Sequence, residues 1–166
     1  MRKNILITGA SSGLGEGMAR EYAAKGCNLA LCARRIEPMQ TLKAELEAAH
    51  PGVKIFIREL DVCDYEKVFE VFRAFRDDLG GLDRVIVNAG MGKGASLGTG
   101  YFEANRQTAE TNFVGALAQC EAALEIFRAQ NSGHLVTVSS MSAVRGAARA
   151  LNVYAASKAA LRNMTE

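Results

Sequence analysis

Residues 4–26, NILITGASSGLGEGMAREYAAKG, decide the fold. Asn4 to Thr8 is a short continuous apolar run, the pattern of a strand buried on both faces. Glycines at positions 9, 13 and 15 follow at once, and residues 13–25 read as a helix ending near Gly26. In a strand–loop–helix unit Gly9 permits the tight turn, Gly13 lets a pyrophosphate approach the backbone, and Gly15 lets the helix pack close. The first amides and the dipole of such a helix favour phosphate charge. A glycine triplet alone marks any turn. Placed directly after the first strand of an alternating chain, it reads as a nucleotide loop, with Gly9, Ser11, Ser12, Gly13, Leu14 and Gly15 as its binding residues.

The alternation continues outward from this unit. Strands are expected at 27–33, 53–60, 82–88 and 133–140, with helices at 38–49, 64–79 and 105–130 and another beginning near Val153. Val68, Val71, Phe72, Phe75 and Leu79 form one apolar stripe on the 64–79 helix, the spacing of a core face. Strands apolar on both faces and separated by helices mean a parallel sheet covered on both sides. The expected fold is therefore α/β, a three-layer doubly wound Rossmann-type domain with strand order 3-2-1-4-5. The glycine-rich stretch at 88–100, NAGMGKGASLGTG, is a long loop of the kind that carries function.

Composition narrows the classes. The chain has 166 residues, 49% apolar and 23% charged, enough for one domain with a real core. A net charge of +2, with scattered Lys and Arg, does not describe a nucleic-acid surface. No apolar run approaches the ~20 residues a membrane helix needs. The start, MRKNILITGA, carries two basic residues but enters a strand directly, which argues against a signal peptide. Cys27, Cys32, Cys63 and Cys120 have no metal-ligand spacing and read as unpaired thiols in a reducing cytoplasm. His50 and His134 stand apart without a ligand set, so no metal is expected.

The loop spacing is G-x3-G-x-G, and TGASSGLG at 8–15 resembles the cofactor loop of the short-chain dehydrogenase/reductase family. The resemblance runs the length of the chain: NAG at 88–90, Asn112 in the long helix, SS at 139–140 and YAASK at 154–158 follow in the family's order. It implies that Asp61 and Val62 meet the adenine and that Asn88, Ala89 and Gly90 form the cofactor floor. The end of the second strand reads CARR, residues 32–35. An acid there would suit the NAD ribose, whereas arginine accommodates a 2′-phosphate. Ala33 stands at the acid's place and Arg34 follows, so NADP(H) is expected in preference to NAD(H), with Arg35 merely solvated.

Tyr154 and Lys158 are four apart and share a helix face. An unperturbed phenol titrates near ~10, and a nearby cation favours phenolate. Such a pair can pass a proton near neutrality. By resemblance the catalytic set is Asn112, Ser140, Tyr154 and Lys158, and Tyr154 and Lys158 also touch the cofactor. Asn112 is expected to bend its helix and hold a water that links Lys158 to solvent. Ser140 would hold the substrate oxygen, with Ser139 pointing into the sheet. The Ser140–Tyr154 spacing is one position longer than the family usually has. Residues 141–153 would absorb the extra one, and Ser142 is the alternative serine.

The resulting expectation is an NADP(H)-dependent oxidoreductase interconverting a carbonyl and a secondary alcohol. Two alternatives stand beside it: an NADP-binding regulator without turnover, and an epimerase or dehydratase of nucleotide sugars. The substrate itself is not readable, although Ala95, Leu97, Val144 and Leu151 are candidate pocket residues. The family's habit suggests a homodimer or homotetramer through helices 105–130 and 153 onward. No helix stop follows Lys158, so residues 1–166 are expected to be one catalytic domain of a longer protein.

Overall fold

The structure, a computed structural model, describes residues 3–146 and 149–166. Its elements are β1 (Asn4–Thr8), α1 (Gly13–Ala24), β2 (Asn28–Ala33), α2 (Ile36–Ala49), β3 (Ile55–Glu59), α3 (Tyr65–Leu79) and β4 (Arg84–Val87). Then come α4 (Phe102–Ala109), a π-helical segment (Glu110–Val114), α5 (Gly115–Ala129), β5 (Leu135–Thr137), 3-10 turns at Met141–Ala143 and Arg149–Leu151, and α6 (Asn152–Thr165).

Among the described residues the strands form one parallel sheet in the order β3-β2-β1-β4-β5. The fold is thus the doubly wound α/β arrangement expected. Strand order reverses beside β1, where Ile5, Leu6 and Ile7 pair with Arg84, Val85 and Ile86 of β4. In such sheets the crevice for ligands opens at the carboxyl ends of the strands at that reversal. Here it opens between Thr8 and Val87.

The period of two explains why the central stretches of β1, β2 and β4 are apolar on both faces. Leu6, Ala30, Cys32, Val85 and Val87 enter one core with Phe72 and Phe75 of α3 and Ala123 and Ile126 of α5. Ile5, Ile7, Leu29, Leu31 and Ile86 enter the other, with Ala19 and Ala23 of α1 and Met39, Leu42 and Leu46 of α2. Each face needs its own layer of helices. The α3 stripe is buried as its spacing predicts, with Leu79 packed at the edge. Its helix starts at Asp64, whose carboxylate accepts from Lys67 N, and ends at left-handed Gly80 (φ 71°).

Three departures from the expectation bear on the site. Helix α2 begins at Ile36 because Pro38 falls in its first turn, where a missing N–H costs nothing. The expected helix 105–130 is two α-helices joined by the π-helical segment. Strand β5 stops at Thr137 rather than 140. Residues Ala147 and Ala148, in the stretch expected to absorb the longer serine–tyrosine spacing, lie outside the described residues, as do Met1 and Arg2. Among the described residues no helix is long and apolar enough to cross a membrane.

Candidate active site and cofactor cleft

The crevice is built first from Thr8, at the end of β1 and fully buried. Its Oγ1 accepts from the amides of Asn88 (3.1 Å) and Ala89 (3.0 Å). Asn88 Nδ2 returns a bond to Thr8 O at 2.8 Å. The ends of β1 and β4 are thereby locked together just below the glycine loop. Gly9 has φ 65°, and a Cβ there would stand 2.9 Å from Ala89 Cα. A Cβ on Gly15 would run into the Gly9 carbonyl and lie 2.8 Å from Asn88 Nδ2. The close packing expected of Gly15 is therefore against the loop and Asn88. Around Gly13 the space is open, leaving room for a ligand beside the start of α1.

Two neighbouring cavities share Gly9, Ser12, Ala89, Gly90 and Met91. The first, of about 400 Å³, is lined by Ser11, Ala33, Arg34, Arg35, Asp61, Val62 and Thr111 besides the shared residues. Asp61 Oδ1 accepts from Cys63 N at 3.0 Å, which shapes the turn after β3. Arg35 is not simply solvated: its guanidinium reaches back to Ser11 Oγ (3.4 Å) and Ser12 Oγ (3.3 Å). This strand-end side chain is drawn onto the glycine loop because α2 starts at Ile36 and turns the chain there.

The second cavity, of about 390 Å³, holds Leu14, Asn88, Val138, Ser139, Leu151, Tyr154 and Lys158. Lys158 is 5% exposed and donates Nζ–H to Val138 O at 2.8 Å. Burial lowers its pKa below the ordinary lysine value, since desolvation disfavours the ammonium. Asn112 is fully buried in the π-helical segment. Its Oδ1 accepts from Met91 N and its Nδ2 donates to Met91 O, both at 2.8 Å, and Nδ2 also reaches Ser157 Oγ at 3.2 Å. Ser157 Oγ donates in turn to Tyr154 O at 2.8 Å. The local bend expected at Asn112 is present as a wide turn, and it aims the amide at both the 88–100 loop and α6. π-bulges of this kind recur at functional sites.

The serines depart from the simple alternation. Because β5 ends at Thr137, the facing rule does not extend to 139 and 140. Ser139 lines the cavity and donates Oγ–H to Lys158 O at 3.0 Å. Ser140 caps the turn Met141–Ala143, its Oγ accepting from Ser142 N at 3.1 Å. Neither Ser140 nor Ser142 is among the cavity-lining residues. Of the four candidate pocket residues, Leu151 alone lines this cavity. Thr8, Met91 and Ser157 were missed. Each lies inside or directly beside one of these motifs, but each has a partner far along the chain that local spacing cannot reveal: the Asn88 and Ala89 amides for Thr8, and the Asn112 side chain for Met91 and Ser157.

A family model described as short chain dehydrogenase matches residues 3–166. An uncharacterized oxidoreductase of Mycobacterium tuberculosis (strain H37Rv) is 56% identical over 165 residues, covering 99% of this chain and 65% of that protein. The NADPH-dependent 3-quinuclidinone reductase of Rhodotorula rubra superposes with a TM-score of 0.90 at 32% identity, over 98% of this chain and 61% of its own. NAD+-bound xylitol dehydrogenase superposes with a TM-score of 0.91 at 26% identity, over 98% and 62%. The chain thus spans less than two thirds of the length of each of these proteins.

Proposed function

This chain belongs to the short chain dehydrogenase family, and on that premise we propose that it is the catalytic part of an NADP(H)-dependent oxidoreductase interconverting a carbonyl and a secondary alcohol. The observation that carries the proposal is the pairing of two adjoining cavities. One presents Arg34 and Arg35 beside the loop serines, and the next presents Tyr154 and buried Lys158. The residues fit a dinucleotide: Gly9 and Gly15 leave no room for side chains, and the space around Gly13 is open.

Neighbours of this fold include one NADPH-dependent and one NAD+-bound enzyme, so the preference rests on this chain's own residues. Arg34 at the end of β2 supplies a fork for the 2′-phosphate, with Arg35 steadying Ser11 and Ser12 behind it. Asp61 and Val62 take the adenine side, and Ala89 and Gly90, which line both cavities, form the floor with Asn88 on the catalytic side.

A nicotinamide supplies or accepts the hydride when bound. Tyr154 gives a proton to the carbonyl oxygen in reduction and takes one from the alcohol in oxidation. Lys158, fixed by Val138 O, would hold the cofactor ribose and favour the phenolate with its remaining N–H donors. Ser140, although not among the residues that line this cavity, is the serine we assign to the substrate oxygen: its Oγ accepts from Ser142 N and keeps its O–H to donate, whereas the Ser139 O–H is engaged by Lys158 O. Asn112 positions α6 through Ser157 and, with a bound water, links Lys158 to solvent. Apolar Leu117 and Leu124 remain exposed on α5, which supports self-association through that helix and α6.

The test is a panel of ketones added to the protein with NADPH or NADH. The expected result is ketone-dependent oxidation of NADPH with a higher kcat/KM than with NADH. Tight NADPH binding without turnover of any ketone would favour a regulatory protein instead.

A further inference from the structure

Met91 is the one side chain large enough to divide the two cavities among the residues they share; the others are Gly9, Ser12, Ala89 and Gly90. Two successive residues of the π-helical segment grip it. Asn112 holds its backbone at both N and O, as described above. Thr111 Oγ1 lies 3.3 Å from Met91 Sδ and 3.6 Å from Cys63 Sγ. We infer that Thr111 is a positioning residue for the cofactor, its hydroxyl pinning the Met91 thioether as the partition between the adenine side and the catalytic side.

The direction of the bonds follows from the groups. A thioether only accepts, so the single hydroxyl proton of Thr111 goes to Met91, and Thr111 must accept from the Cys63 thiol. Cys63 then has to stay protonated. Burial raises its thiol pKa, which is consistent with that role. The end of the segment is packed closely on the adenine side: a Cβ on Gly115, the residue that follows it, would stand 2.9 Å from Val62 O. The chain of contacts therefore runs from the turn after β3, through Thr111, to the residue that borders both cavities. A dinucleotide spanning them must pass Met91, and a thioether released by loss of the hydroxyl would swing across that path.

This inference rests on the cofactor reading above, and the experiment separates the two. NADPH affinity is measured by titration for wild type, Thr111→Val, Thr111→Ser, Met91→Leu and the Thr111→Val/Met91→Leu double variant, with thermal melts alongside. Thr111→Val keeps the shape and removes the donor, while Met91→Leu removes the acceptor. Each is expected to weaken NADPH about fivefold, the size of one hydrogen bond. Thr111→Ser restores binding to within about twofold of wild type. The double variant loses no more than either single, because both remove the same bond. Unchanged affinity in Thr111→Val, or a double variant whose losses multiply, would overturn the inference. Wild type that binds neither NADPH nor NADH would overturn the cofactor reading and this inference with it.

Discussion

Lys158 Nζ donates to the carbonyl of Val138 at 2.8 Å, which ties the amine of α6 to the backbone leaving β5. That contact gives a buried cation one partner and places it in the cavity that holds Tyr154. It also sets a pH dependence. The folded pKa lies below the ordinary 10.5 because burial penalises the charged form. Between the two values the unfolded chain binds more protons, so stability rises with pH across that window. Below the folded pKa the burial penalty is present in full. Lys158→Met removes it, so the Tm difference between variant and wild type should favour the variant most at low pH and shrink as pH climbs toward 10.5. Thermal melts across that range check this; a difference independent of pH would contradict it.

Arg34 lines the cavity beside Arg35, Ser11 and Ser12. If it forks a 2′-phosphate, Arg34→Ala removes a charge-assisted contact of about 1.5–3 kcal/mol. NADPH affinity should then fall ~10- to 100-fold. NADH affinity should stay within about twofold, since NADH carries no such phosphate. Fluorescence titration with both cofactors reads the difference. Equal losses for the two would remove Arg34 from the specificity site.

Gly15 has no space for a side chain, because a Cβ would meet the Gly9 carbonyl. Gly15→Ala should push the glycine loop away from α1 and cost about 1–3 kcal/mol of stability, as overpacking does. Denaturant unfolding of this variant measures the cost. Gly17, where a Cβ would meet nothing within 4 Å, is the control. Gly17→Ala should gain up to about 1 kcal/mol through helix propensity.

Much of this is legible in the amino-acid order alone. The two-faced apolar strands announce a covered parallel sheet, and the α3 stripe is the buried face of that helix. Asn112, Tyr154, Lys158 and the glycine loop meet at one sheet end, as the order of motifs implies. Other parts are not readable, for physical reasons. The facing of Ser139 and Ser140 depends on where β5 stops, and strand length is set by pairing with β4. Arg35 looks free because its partners, Ser11 and Ser12, lie more than twenty positions away. Ser157 sits in a quoted motif, yet its link between Asn112 and Tyr154 exists only once α6 packs on the π-helical segment.

The central claim is that the Tyr154 phenol carries the proton. Tyr154→Phe keeps the ring and deletes the hydroxyl, so ketone-dependent NADPH oxidation should fall by ~10²–10⁴. NADPH affinity, measured on the same sample, should stay within about tenfold, since one hydrogen bond contributes about 0.5–1.5 kcal/mol. Turnover by Tyr154→Phe within tenfold of wild type, at unchanged NADPH affinity, would contradict the account.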